Sequence, residues 1–262
     1  MADHQEAYKL ESIPKMRRFS LDAGYLGRRR HMVHGLIEVD VTEVREHMRQ
    51  YKADTGESLS FTGYIIYCLG KAIESNPHMH AYRNWRNQLV IFEDININSM
   101  VEIERDGRRI PVPYIFKAVN RKTYLDIHNE IRNAKNKPSE TDEVNFMQWF
   151  LVLPAFIRRA FYWLVMRVPQ FFRQYSSSVI VTAIGMFGKG GGWGITVPNF
   201  TLTVTVGGIA RKPGVVEERI EIREYLDLTI SIDHDIVDGA PMVRFVNQFR
   251  ELVESGYGLL EA

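Results

Sequence analysis

A strand pattern followed by an amphipathic helix, near the C-terminus, is the feature that most constrains the fold of this chain. Apolar and polar residues alternate through "LDLTISID", residues 226 to 233, as in a strand with one buried face. A helix beginning near Pro241 would place six apolar side chains on one face, namely Met242, Phe245, Val246, Phe249, Leu252 and Val253. The pattern predicts a sheet that a C-terminal helix covers.

Strand and helix patterns alternate along the rest of the chain. Strand-like stretches lie at 36–41, 89–93, 95–103, 110–118, 177–185, 201–210 and 225–233, and helical patterns at 42–56, 58–77 and 121–137. A serine caps the second helix pattern, Asp106-Gly107 is typical of a hairpin turn, and Pro138 stops the third helix pattern. The order predicts a single α/β or α+β sandwich domain over residues 1–262.

Charge and cysteine content exclude several classes of protein. The 33 Lys and Arg residues nearly cancel the 32 Asp and Glu residues, so no overall field attracts nucleic acid. A single cysteine, Cys68, excludes an internal disulfide and lies in an apolar run where burial is expected. The N-terminus lacks the apolar core of a secretory signal, and a cytoplasmic protein is expected.

Residues 144–175 are rich in aromatic side chains and look like an enlarged insertion. The longest uncharged run, 144–157, is shorter than the roughly 20 residues of a membrane-spanning helix. Two helices buried against the core or a neighbouring subunit are the favoured interpretation. The alternatives are a lid over a long acyl substrate and an interfacial membrane helix whose Arg158, Arg159, Arg167 and Arg173 meet lipid phosphates.

Familiar phosphate and metal motifs fail on spacing. In "IGMFGKGGGWG", residues 184–194, the glycine-lysine pair is followed by glycine, so the loop is not a phosphate-binding P-loop. A turning or mobile loop is expected there, with close approach of backbone to a ligand as the alternative. "DHDIVDG" lacks the glycine position and the glutamate of a calcium loop, and the pairs His31/His34 and His78/His80 lack a third zinc ligand. No metal is expected.

His234 stands where the last strand ends, among Asp233, Asp235 and Asp238. A strand end is a rigid mount, and imidazole can accept a proton from a thiol or hydroxyl near neutral pH. The residues themselves leave two interpretations open, a catalytic base and a structural histidine.

"SIDHDIVDGAPMVRFVNQFRELVES" resembles the active-site segment of the acyltransferase subunits of 2-oxo-acid dehydrogenase complexes, and more distantly that of chloramphenicol acetyltransferase. His234, Asp238 and Gly239 match the family pattern of His, three residues, Asp or Asn, and Gly. Collinear similarities cover roughly residues 17–135 and 177–256, including "HMVHGLIEVDVTEVREHMR" and "SVIVTAIG". The resemblance implies a chloramphenicol-acetyltransferase-like fold, a two-layer sandwich with a mixed sheet.

The resemblance also implies roles for individual residues. His234 would deprotonate the thiol of coenzyme A or dihydrolipoyl, and Thr182 would donate a hydrogen bond to the tetrahedral oxyanion. Asp238 would hold the loop through a charged partner, which we assign to Arg18, while Gly185, Gly239 and Arg18 are the candidate coenzyme A contacts. In the family the base and the hydroxyl come from different subunits of a trimer, so a homotrimer or a larger assembly is expected.

Departures from the family pattern leave the acceptor open. Asp235 stands where the family has arginine, and the threonines of "ITVPNFTLTVTV" replace more apolar residues. The chain begins almost at the catalytic domain, so no covalently bound lipoyl group is expected on it, and a lipoyl acceptor would be supplied in trans. Two alternatives are transfer to a non-lipoyl small molecule or lipid, and a catalytically idle trimeric scaffold.

Overall fold

A six-stranded mixed sheet forms the centre of the computed structural model, which describes residues 9–14, 17–105, 108–136, 150–173, 177–185, 190–197 and 199–259. Its strands are β1 (Met32–Asp40), β4 (Ile97–Arg105), β5 (Arg108–Phe116), β6 (Val179–Ala183), β7 (Leu202–Val216) and β8 (Arg219–Asp233), in the order β1-β8-β7-β6-β4-β5. Strand β6 pairs in parallel with β4 and β7, and the other pairs are antiparallel. The predicted mixed sheet is confirmed. The predicted Asp106-Gly107 turn and Pro138 stop lie outside the described residues.

Helices cover one face of this sheet. They are α2 (Thr42–Thr55), α3 (Phe61–Glu74), α4 (Tyr124–Asn136) and α7 (Gly239–Glu254), with 3-10 turns at Pro77–His80 and Val119–Arg121. The predicted serine cap is Ser60, whose hydroxyl accepts a hydrogen bond from the Gly63 amide at 3.1 Å. Gly56 ends α2 at a left-handed φ of 75°, where glycine avoids the steric cost of a side chain.

The hydrophobic core lies between that sheet face and helices α3 and α7. Strand residues at alternate positions, such as Val181, Val204 and Ile230, are fully buried. In α7 the predicted apolar face is confirmed: Met242, Phe245, Val246, Phe249 and Val253 are buried and Leu252 is half-buried. Cys68 of α3 is buried in the same core, as predicted.

The aromatic segment forms two helices, as the favoured interpretation predicts, but they are only partly buried against the rest of the chain, and burial against a neighbouring subunit stays a prediction. The helices are α5 (Ala155–Arg167) and the short α6 (Pro169–Phe172), and in α5 only Arg158 and Val165 are buried. An N-terminal helix that the sequence did not predict, α1 (Arg17–Gly27), packs beside α5. Arg158 donates to Asp22 of α1 at 2.7 Å, and both side chains are buried. The buried side of α5 therefore holds an ion pair, and its apolar residues face outward; residues 144–149 lie outside the described part.

All four arginines that the interfacial alternative assigned to lipid phosphates are engaged within the protein, and Arg159 lies 3.4 Å from Asp22. Besides Arg158, Arg167 donates to the Asn84 carbonyl at 3.3 Å, and Arg173 donates to the Asp94 carbonyl at 2.6 Å. These contacts hold α5 and α6 against a small two-stranded sheet, β2 (Tyr82–Arg83) with β3 (Leu89–Val90), and its neighbouring loops. Within the described residues, every helix is too short or too polar to cross a membrane.

Candidate active site

His234 directly follows β8, and its backbone is held by the neighbouring strand. Its amide donates to the carbonyl of His31, just before β1, at 2.8 Å. The imidazole is exposed and forms no hydrogen bond with any residue in the described part of the chain. The side chain therefore combines a fixed backbone with a ring that can reach a substrate.

Asp233, on one side of His234, is held by a buried ion pair. Arg30 donates to Asp233 Oδ2 at 2.5 Å, and the two side chains are 14% and 7% exposed. Asp233 Oδ1 accepts from the Asp235 amide at 3.2 Å. Because a buried, paired carboxylate is held in place, Asp233 supports the turn around His234.

Asp235, on the other side of His234, is also held by its neighbours. His31 Nδ1 and Arg83 Nη1 each lie 2.9 Å from one of its carboxylate oxygens. The hydrogen bond from His31, assisted by the charge of Arg83, holds the pKa of Asp235 below its usual range. Asp235, at the position that carries arginine in the family pattern, thus links His31, the residue just before β1, to Arg83 of β2.

The predicted pair between Asp238 and Arg18 does not form. Asp238 is exposed and extended at the N-terminus of α7, without a side-chain capping bond, and Gly239 begins the helix. Arg18 instead donates to the carbonyl of Leu151 at 3.0 Å, because α1 packs along the aromatic segment. In the described part of the chain, the arginine–aspartate pairs beside His234 are Arg30–Asp233 and Arg83–Asp235.

Thr182 lies on the polar face of the sheet, in a row of threonines. It pairs with Thr205 of β7, which pairs with Thr229 of β8, so the three side chains project from the same face. Thr182 is half-buried, whereas the hydroxyls of Thr205 and Thr229 are buried and form no hydrogen bond with a described residue. Thr182 is the accessible hydroxyl of the row.

The glycine-rich loop packs its backbone directly on β7. The Gly208 amide donates to Gly192 O at 2.9 Å, and the Gly192 amide donates to the buried carboxylate of Asp227. A Cβ atom on Gly185 would lie 1.7 Å from the Gly207 carbonyl oxygen, a distance that no side chain tolerates. In the described part of this loop, the backbone packs closely on the β7 bulge between Val206 and Ile209, and thus on the protein itself. Residues 186–189 lie outside that part.

Thr182 and His234 are far apart within one chain. Thr229 lies two strands across the sheet from Thr182, which is about 10 Å at the usual strand spacing. His234 follows Thr229 by five residues in the direction of β8, which adds about 17 Å along the strand at the usual rise per residue. Together these steps separate the two Cα atoms by about 19 Å. A single substrate carbonyl therefore cannot contact both side chains of the same chain.

Sequence reasoning missed Arg30, His31 and Arg83, the residues that hold the two aspartates. Arg30 is the last of three consecutive arginines, and nothing in that run distinguishes it from Arg28 or Arg29. His31 was noted only as half of a rejected metal pair. In the described part of the chain, no group of three His, Cys, Asp or Glu side chains could hold a metal ion.

The fold is that of the chloramphenicol-acetyltransferase-like acyltransferases. A crystal structure of a probable dihydrolipoamide acetyltransferase from Listeria monocytogenes 4b F2365 superposes with a TM-score of 0.71 at 18% identity, covering 95% of each chain. A chloramphenicol acetyltransferase superposes with a TM-score of 0.51 at 14% identity, covering 95% of this chain and 97% of the other. At these identities the likeness shows a shared fold.

The chain belongs to the family described as 2-oxoacid dehydrogenases acyltransferase (catalytic domain), whose model matches residues 30–142 and 174–260. A curated relative is the dihydrolipoyllysine-residue acetyltransferase component of the pyruvate dehydrogenase complex from Bacillus subtilis strain 168, 27% identical over 222 residues. That match covers 82% of this chain and 43% of the relative, so the chain spans less than half of that protein. The family model leaves out residues 143–173, which contain most of the aromatic segment.

Proposed function

We propose that this protein transfers an acyl group between coenzyme A and a thiol such as dihydrolipoyl supplied in trans. Family membership supports the reaction class, and the observation that carries the assignment to this site is the placement of His234. Its backbone is fixed, its ring is exposed, and the aspartates beside it are both held by cations. An unpaired imidazole at such a position can act as a general base near neutral pH.

The proposed reaction uses His234 and Thr182 in one sequence of bond changes. The His234 imidazole takes the proton of the attacking thiol, and the sulfur forms a bond to the thioester carbonyl carbon. Thr182 donates its hydroxyl hydrogen bond to the oxyanion that develops on the carbonyl oxygen. Collapse of the intermediate breaks the original carbon–sulfur bond, and the departing thiolate takes the proton back from the imidazolium.

The separation of Thr182 and His234 supports an active site made by two subunits. Since both groups must come within hydrogen-bond distance of one reacting thioester, the base of one chain would meet the hydroxyl of its neighbour. A homotrimer, the assembly that the family resemblance implies, would supply three such sites. Gly185, Gly239 and Arg18 stay predictions as coenzyme A contacts, with Asp238 as a loop residue.

A second candidate is transfer to a non-lipoyl, apolar acceptor. The exposed apolar side of α5 favours it, because this helix reaches the candidate site through Met166, whose sulfur lies 3.9 Å from Arg30. The two candidates share the base and the oxyanion donor and differ in the acceptor.

Replacement of the two proposed catalytic residues tests the function. With acetyl coenzyme A and dihydrolipoamide, His234→Ala should lower kcat/KM by about 10² to 10⁴, since a positioned base is removed. Thr182→Val should lower it by about 10² to 10³, mostly in kcat, since the oxyanion contact strengthens in the transition state. Release of free coenzyme A is followed over a panel of acyl chains and acceptors.

His78→Ala is the matched control, because His78 is an exposed histidine on the 3-10 turn Pro77–His80 and makes none of the contacts described around His234, so the substitution should leave kcat/KM unchanged. A wild-type protein that transfers no acyl group to any acceptor would establish the idle scaffold and refute the enzyme. Preference for a non-thiol acceptor would favour the second candidate.

A further inference from the structure

The helices α1 and α5 present a continuous apolar surface to the outside. On α5 the exposed side chains recur at helical spacing and are all apolar: Phe156, Ile157, Ala160, Trp163 and Leu164. Phe156 is 72% exposed and Trp163 is 50% exposed. On α1, Leu21 and Tyr25 are exposed as well. We call these seven side chains the α1–α5 surface; an apolar patch of this kind marks an interaction site.

The exposed charges on the two segments that carry the α1–α5 surface have one sign. Residues 17–30 and 150–173 contain a single carboxylate, Asp22, which is buried against Arg158. Four arginines, Arg17, Arg18, Arg28 and Arg29, are exposed at the two ends of α1, and none of them pairs with a carboxylate in the described part of the chain. Arg159 joins the two helices, with its guanidinium 4.1 Å from the centre of the Tyr25 ring.

This combination of an apolar face and unpaired arginines fits one partner, the surface of an anionic lipid bilayer. Apolar and aromatic side chains enter the interfacial region while arginines at its edges meet lipid phosphates. Two-fold pairing of this face with itself fits poorly, because it would bring arginines together without a carboxylate between them. We propose that the α1–α5 surface docks the protein on anionic membranes.

The docking surface is tied to the candidate active site by direct contacts. Arg30 contacts both Asp233 and Met166 near the C-terminal end of α5. The Trp85 amide donates to the Arg167 carbonyl at 3.2 Å, and the nearby Arg83 holds Asp235. A docked α5 therefore holds the residues that flank His234 close to the lipid surface, whichever acyl acceptor the enzyme uses.

Vesicle binding tests the proposal without an activity assay. The full chain is floated with vesicles of dioleoylphosphatidylcholine, alone or mixed equally with dioleoylphosphatidylglycerol. Binding is expected to the anionic vesicles and should weaken when salt rises from about 0.1 to about 0.5 M, since salt screens the arginines. The double variant Phe156→Ser/Trp163→Ser should bind at least tenfold less, and Arg28→Ser/Arg29→Ser should lose the preference for the anionic lipid.

Val215→Ser/Ile220→Ser is the matched control, because these apolar side chains are 78% and 79% exposed on the far end of the β7–β8 hairpin. It should bind vesicles like the wild type. Equal binding by the Phe156/Trp163 variant and the control, or no binding to either vesicle, would overturn the proposal. So would a change in the molar mass in solution caused by Phe156→Ser/Trp163→Ser alone, because that would assign the surface to a contact between copies.

Discussion

Burial gives His80 and His234 different environments. His80, 4% exposed, lies under the β2 strand, and its carbonyl accepts a hydrogen bond from Ser178 Oγ at 2.5 Å. Burial, together with the charge of Arg173, lowers the pKa of His80 to about 4. His234, in contrast, is exposed and can exchange protons with a substrate. His80 should therefore stay neutral during catalysis, while its protonation affects stability.

We predict that His80 makes the protein less stable in mild acid. Unfolded histidine binds a proton below pH about 6.5, whereas folded His80 binds one only below about 4, so between these values the unfolded chain holds more protons. His80 does not lower the free energy of unfolding above pH about 6.5. Below that pH the free energy of unfolding falls as the pH falls toward 4, and the loss is about 2 kcal/mol at pH 5.

Urea unfolding at pH 7 and pH 5 measures this effect. His80→Gln should lose less stability between the two pH values than the wild type, whereas His78→Gln, at an exposed neighbouring position, should behave like the wild type. The same pH dependence in all three proteins would contradict the assignment.

At the level of residues, the base could be predicted from the sequence but its surroundings could not. Strand alternation and the family motif identify His234 from neighbouring positions alone. Arg83 and His31 reach Asp235 across 152 and 204 residues, and only the folded sheet brings them together. For the same reason the assignment of Arg18 to Asp238 was wrong, since it assumed where an unpredicted helix would lie.

Among the elements, the β7–β8 hairpin shows where local patterns fall short. The sequence predicts strands at 201–210 and 225–233, but the hairpin continues to Val216 and resumes at Arg219. Its turn uses Glu217 and Glu218 at positive φ of 46° and 64°, where a sequence signal would be Asn-Gly. The long antiparallel ladder that leads into the turn fixes it, so the turn forms without that local sequence signal.

We predict that Gly185→Ala disturbs both stability and catalysis. The added methyl group would overlap the Gly207 carbonyl oxygen, so β6 or the β7 bulge must shift. The unfolding free energy should fall by about 1 to 3 kcal/mol, and kcat should fall because Thr182 lies three residues away. Chemical denaturation and acyl-transfer kinetics measure the two effects.

Gly24→Ala is the control for that substitution. Nothing lies within 4 Å of the added Cβ atom, and the residue is inside helix α1. Alanine should therefore raise the stability by about 0.5 to 1 kcal/mol and leave kcat unchanged. If Gly185→Ala were as stable and as active as the wild type, the close packing of the glycine loop on β7 would not be important.

For the whole molecule, the order of elements was predictable from the sequence and the placement of the aromatic segment was not. Six strand patterns and the C-terminal helix define the sandwich, because their apolar periods are regular. Residues 150–173 carry apolar side chains on nearly every side, so the sequence could not show which side faces the core. The buried Asp22–Arg158 ion pair fixes which side of α5 faces the protein, and it forms only because α1 brings Asp22 beside α5.

The register of the sheet has the largest consequence for function. It separates Thr182 from His234 within each chain, and the proposed chemistry requires both groups at one thioester. Two inactive variants, one at each position, should therefore complement each other, provided that their subunits assemble together.

Co-expression of His234→Ala and Thr182→Val chains in equal amounts is the most direct test. With random assembly, a site has the wild-type base and the wild-type hydroxyl in about one case in four, so the mixture should recover about a quarter of the wild-type kcat. Each variant alone, purified from a separate culture, should remain at its own low activity. Activity in the co-expressed mixture no higher than the mean of the two variants would contradict an active site shared between subunits.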